Sequence, residues 1–67
     1  MEYITVIYRY HRGVQVFARA KGDICEYAGR SVDEAIGMLV RGRHAVWGPF
    51  AINDIVREPE REAAETK

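Results

Sequence analysis

Cysteine is almost missing from this chain: Cys25 is the only one, and there are only two prolines. One thiol cannot build an internal disulfide framework, so no covalent staple stiffens the fold. Long apolar runs are missing as well. No stretch approaches the roughly 20 residues that a membrane-crossing helix needs. The opening MEYITVIYRY has an acid at position 2 and no basic leader, so neither a secretory signal nor a membrane span is expected and the chain reads as cytoplasmic. Charge of one sign is also lacking, because ten Lys and Arg balance ten Asp and Glu. The whole molecule therefore offers no net field toward nucleic acid or an anionic membrane, and any such binding must be local.

What is present is globular: 48% hydrophobic and 30% charged residues in a chain of 67. That length allows one small domain with little burial, which makes association between chains an expected source of stability. The charge is segregated, with +3 over residues 1–21, −3 over 22–40, +2 over 41–57 and −2 over 58–67. A hairpin carrying Arg9, Arg12, Arg19 and Lys21 could touch phosphate, although solvated strands commonly carry as much.

Tyr3 to Tyr10 and Val14 to Ala20 are dense in β-branched and aromatic residues and predict two strands. The His11-Arg12-Gly13 connection decides their register. A two-residue loop would mix Arg9 and His11 into the face carrying Val14 and Val16. A three-residue loop, a type I turn closed by Gly13 in the left-handed region, pairs Tyr8 with Val16. It gathers Ile4, Val6, Tyr8, Tyr10, Val14, Val16, Ala18 and Ala20 on one face, and is the expected register. Its consequence is that Ile7 and Phe17 sit opposite each other on the wet face. After a Lys21-Gly22-Asp23 turn, a third strand, Ile24 to Ala28, points Cys25 and Tyr27 at the core and adds Ile24 to the outer patch.

Ser31-Val32-Asp33-Glu34 fits a capping box and starts a helix. At about 100° per residue, Val32, Ala35, Ile36, Leu39 and Val40 form its buried stripe, with Asp33, Gly37 and Arg41 on the far side. Gly42 is the expected stop, giving a helix of about ten residues. Residues 43–50 then read as a loop whose Trp47 caps the core. Phe50 to Arg57 is a fourth strand with a bulge at Asn53-Asp54, because both residues disfavour strand interiors. The expected organisation is an α+β domain over residues 1–57, β-β-β-α-β, in which one helix covers a three-stranded antiparallel sheet and a fourth strand follows. A charged tail over 58–67 completes it.

Chemistry is hard to place. Glu26 stands alone on its strand, and Asp33 and Glu34 are explained by capping and the helix dipole, so metal-dependent hydrolysis lacks its converging carboxylates. Cys25, His11 and His44 have no metal-ligand spacing. No Gly-rich phosphate loop occurs. The expectation is therefore no enzyme, no cofactor and no metal. Gly37 has two readings: tolerated drift, or a close approach by a partner helix with Asp33 and Arg41 one turn away on either side.

The order β-β-β-α-β, with a glycine turn in the first hairpin and Gly29-Arg30-Ser31-Val32-Asp33-Glu34-Ala35-Ile36-Gly37-Met38-Leu39-Val40 running from strand to helix, resembles the HicB-like family of small bacterial and archaeal proteins. The family's Pro-Gly before the third strand is Lys21-Gly22 here. The resemblance, over roughly residues 3–57, implies a truncated, degenerate ribonuclease H-like layer of sheet and helix. It also implies the role of an antitoxin that masks a small messenger-RNA-cleaving toxin of the HicA type. Longer members add a C-terminal DNA-binding motif; none follows here before Lys67, so operator binding is not expected. The alternative function is a nucleic-acid-binding module using the basic hairpin, with Tyr3, Tyr8, Tyr10 or Phe17 available for stacking. From the residues themselves, a homodimer or larger even assembly is expected through Ile7, Phe17 and Ile24, with Asp33, Gly37 and Arg41 as a second candidate interface.

Overall fold

The computed structural model describes residues 2–58. The remaining nine residues of the expected tail, 59–67, lie outside the described residues. Four strands and one helix follow in the order β1 (Glu2–Tyr10), β2 (Val14–Ala20), β3 (Asp23–Gly29), α1 (Val32–Trp47) and β4 (Phe50–Arg57). The sheet has the order β3-β2-β1-β4. β2 runs antiparallel to both neighbours, whereas β4 lies parallel to β1. α1 is therefore a crossover that leaves one edge of the sheet and delivers the chain to the other, as parallel pairing requires.

The hairpin register is the expected one, with Tyr8 opposite Val16 and Ile7 opposite Phe17. The turn differs in detail. Gly13 (φ 109°) has the expected positive φ, but Arg12 (φ 53°) shares it, so the pair His11-Arg12 does not follow a type I turn. Gly13 is needed on a second ground: a Cβ there would stand 2.8 Å from the Gly29 carbonyl oxygen.

The even-numbered residues of β1 and β2 face the helix. Val6, Val16, Ala35 and Leu39 are completely buried, with Ile4, Val14, Ala18, Ala20 and Trp47 nearly so. Cys25 and Tyr27 join this face opposite Ala18 and Val16, as the alternation of β3 predicts. Two residues placed in the core by pattern are not there. Tyr10 is 58% exposed and Val40 38% exposed, because α1 packs on β3 and β2 and does not reach the far end of β1. Tyr10 instead meets Tyr8 edge to face at 5.8 Å and takes the Arg57 guanidinium over its ring at 4.9 Å.

The helix starts where the capping box places it. Ser31 Oγ accepts from the Glu34 N–H, and Glu34 Oε1 reaches back to accept from the Arg30 N–H. Its end is different from the expectation. α1 runs for sixteen residues, so residues 43–47 are helical and not loop. It stops at Gly48 (φ 79°), whose N–H donates to the His44 carbonyl. Gly42 lies in the helix interior because the Tyr27 ring packs against it. An added Cβ would come within 2.8 Å of Tyr27 Cζ. The glycine is a slot for an aromatic ring and does not end the helix.

β4 carries the expected bulge. Ile4 pairs with Ile52 and Thr5 with Asp54, so Asn53 is the extra residue. Beyond it the alternation changes phase, and Val56 faces outward beside Ile7.

The two helix glycines separate packing from propensity. Gly37→Ala, whose new Cβ would meet only Arg41 Nη1 at 3.5 Å, should stabilise the domain by up to about 1 kcal/mol. Gly42→Ala should destabilise it by about 1–3 kcal/mol as the ring of Tyr27 is displaced. Urea melts of the two variants check both signs.

Candidate functional site

Two side-chain constellations stand out, one at the helix–sheet junction and one on the face of the sheet away from the helix. The first centres on Asp23 at the start of β3. Its Oδ2 accepts from Arg43 Nη1 at 2.6 Å and from Trp47 Nε1 at 2.9 Å. Arg43 Nε donates to the Tyr27 hydroxyl at 3.1 Å, and Lys21 Nζ donates to the Trp47 carbonyl at 2.9 Å. The hydrogen bonds that Arg43 donates to Tyr27 and Asp23 raise its pKa further. Each polar side chain in this cluster bonds to another member, and the effect is to fasten the last turns of α1 to the β3 edge.

Cys25 lies beside this cluster. Burial pushes its thiol above the ordinary range; the nearby Arg43 cation opposes that shift and Asp23 adds to it. A raised thiol is the reverse of an activated nucleophile. Among the described residues no group of three His, Cys, Asp or Glu could hold a metal ion. No helix among them is long and apolar enough to cross a membrane.

The second constellation is the outer face. Opposite residues in adjacent strands share a face. The strand register therefore makes one continuous row across the sheet, Glu26, Phe17, Ile7 and Val56, from β3 to β4. One step along the strands lies a second row in which Ile24 neighbours Arg19 and Thr5 neighbours Asp54. Ile7 is 41%, Val56 42% and Ile24 68% exposed, so three branched aliphatic side chains meet water here. Tyr3, Thr5, Ile7, Phe17, Arg19 and Ile24 wall a shallow depression of about 420 Å³. Phe17 is the sheltered member, because Arg9 lies over its ring at 5.2 Å while bonded to Gln15 and 3.9 Å from Glu58.

Of the expected interface residues, Ile7, Phe17 and Ile24 come together on this face. Asp33, Gly37 and Arg41 do not join them: they lie on α1, on the opposite side of the molecule. Arg41 folds its guanidinium over Gly37, filling the space that a partner backbone would use. Val56, Arg19 and Asp54 are additional members of the face. Val56 was legible only by carrying the bulge through the alternation of β4.

Comparison with models of known families, with curated proteins and with solved structures found no match to this chain.

Two measurements follow from the junction. Asp23→Ala removes the acceptor of the buried Trp47 indole and should cost about 1–2 kcal/mol, the ion-pair part being screened by the partial exposure of Asp23 and Arg43. Chemical denaturation reads the loss. For Cys25, the folded-state thiol ionises later than the unfolded one, so the folded state holds the extra proton. Stability from this group is intact below the ordinary thiol pKa and falls as pH rises past it. Iodoacetamide should accordingly label Cys25 more slowly than a free thiol at neutral pH, with denaturant restoring the normal rate.

Proposed function

We propose that this chain is a non-catalytic, cytoplasmic protein-binding domain of the HicB-like kind, which masks a small partner such as a messenger-RNA-cleaving toxin. The observation that carries the reading is the outer face: among the described residues, a four-stranded sheet has its helix on one side and, on the other, an aliphatic row of Ile7 and Val56, with Ile24 beside it, left in water. Monomeric proteins seldom leave such a row open without a use for it. The element order β-β-β-α-β and the capping box behind the hairpin support the family likeness.

Among the described residues no catalytic constellation supports an enzyme reading. The Asp23 cluster spends its polar atoms on fastening the helix, and the Cys25 thiol is held protonated. The nucleic-acid reading gains nothing from the geometry either. Arg9 is tied to Gln15 and Glu58, Lys21 is tied to the Trp47 carbonyl, and Arg12 stands at the far end of the hairpin from Lys21. Arg9 and Arg19 share the outer face, but Arg12 and Lys21 stand at opposite ends of β2, so the four cations form no single patch.

The test is co-expression with the product of the adjoining reading frame, where that product is a small basic protein, followed by calorimetric titration of the purified pair. A stoichiometric complex is expected, weakened more than about tenfold by Phe17→Glu. RNA incubated with the domain and Mg²⁺ or Mn²⁺ should remain intact. Cleavage that disappears in Glu26→Gln would overturn the non-catalytic reading.

A further inference from the structure

The two outermost strands of the sheet are built differently. β4 is interrupted by its bulge at Asn53, a common way of blunting an edge. β3 keeps an unbroken register with β2 over all seven of its residues and carries neither proline nor lysine. Its backbone pattern follows from the turn before it. Lys21 (φ 54°) and Gly22 (φ 75°) are the central residues of a tight hairpin loop, both with positive φ as in a type I′ turn. The pair flanking such a loop, here Ala20 and Asp23, exchanges both backbone hydrogen bonds, and every second pair after it does the same. Ala18–Cys25, Val16–Tyr27 and Val14–Gly29 are therefore the bonded pairs. Ile24, Glu26 and Ala28 turn their N–H and C=O groups the other way, to the side where, among the described residues, the sheet ends.

Apolar side chains flank this edge on both faces. On the helix side, Gly42 lies against the Tyr27 ring, and Met38 and Val46 stand one turn before and after it in the same row along α1. Both are exposed, Val46 by more than half. On the other side stands the exposed Ile24, with Glu26 next to it along the strand.

The charges near the edge leave one acid over. Asp23 is engaged by Arg43 and Trp47, and Glu34 by the Arg30 N–H. Arg41 folds over Gly37. Glu26 is exposed, and neither Arg19, diagonal to it on β2, nor any other described residue forms an ion pair with it.

We propose that the β3 edge takes an extended segment of another polypeptide as an added strand, one that carries aliphatic residues toward α1 and a lysine or arginine between them, beside Glu26. The outward N–H and C=O groups of Ile24, Glu26 and Ala28 supply the ladder, with the new strand about 4.8 Å from β3. Alternate side chains of that strand reach Met38, Tyr27 and Val46, and those between them lie beside Ile24, Glu26 and Ala28. The ladder gives affinity to any extended chain, while the apolar overhang and the lone acid select its sequence. This surface is separate from the Ile7–Val56 row, and the inference goes beyond the reading of that row without resting on it. A second copy suits the edge less well. The antiparallel pairing of β3 with itself that uses all three residues sets Glu26 opposite Glu26 of the copy, acid against acid.

Amide hydrogen exchange followed by NMR on the whole chain tests the proposal, with the capped peptide Val-Thr-Val-Lys-Val-Thr-Val as the probe. In the free protein, the amides of Ile24, Glu26 and Ala28 should exchange rapidly while those of Cys25 and Tyr27 are protected. Peptide at about ten times its dissociation constant should slow exchange at the first three by about tenfold. Glu26→Lys should weaken binding by about fivefold or more, and a peptide with glutamate in place of its lysine should restore it. Serine in place of the valines should abolish binding. Val56→Glu, on the far strand, should leave peptide affinity unchanged; a loss there would assign the peptide to the outer row and overturn the proposal. Protection of Ile24, Glu26 and Ala28 already present in the free chain, as pairing with a second copy would give, also overturns it. So does a peptide that fails to bind, one that binds without slowing these three amides, or a charge exchange that restores nothing.

Discussion

The register of the first hairpin is the constraint from which the remaining geometry follows. A one-residue slip between β1 and β2 would exchange the two faces of one strand relative to the other. Val14 and Val16 would then share a side with Arg9 and His11, and the apolar bed for α1 would be broken. In the actual register, Val6 and Val16 are wholly buried beneath Leu39, and the odd-numbered residues are collected on the other side. The outer row, with Ile7 and Val56 in water and Phe17 under Arg9, is therefore the complement of a well-formed core, produced by the same pairing.

The second constraint is the fastening of α1 by Asp23. A helix with glycine at two interior positions has little propensity to continue past Gly42 by itself. Its last turns persist because Arg43 and Trp47 both donate to one carboxylate at the start of β3, and because the ring of Tyr27 fills the place of the missing side chain. This fastening draws the helix toward the β3 edge. It explains why Tyr10 and Val40, apolar by pattern, remain in water while the smaller Ala18 and Ala20 are covered.

Local signals proved readable and distant ones did not. The capping box at Ser31, the turn at Gly13 and the bulge at Asn53 each depend on a few adjacent residues whose backbone preferences are strong, and each lies where the residues indicate. The hairpin register was legible because only one choice gathers the apolar side chains. The helix end was not, because Gly42 and Tyr27 are fifteen positions apart in sequence and glycine looks the same whether it ends a helix or admits a ring. Asp23 and Arg43, twenty positions apart, carry no mutual signature in the chain. On the candidate face, Ile7, Phe17 and Ile24 followed from alternation alone. Asp33, Gly37 and Arg41, placed by the helical spacing on the side of α1 away from the sheet, stay apart from that face.

The parallel pairing of β4 with β1 has a bearing on how the chain is made. Glu2 finds its partner in Phe50, 48 residues later. During synthesis β1 can pair with β2 almost at once, but its other side stays open until the crossover helix and β4 have emerged. For that interval the strand that ends in the middle of the sheet is an edge, rich in Ile, Val and Tyr, with unpaired backbone groups exposed. Closing so long a loop is the slow step expected in an otherwise local fold. The nascent chain is thus most prone to association with its neighbours just before its last strand arrives.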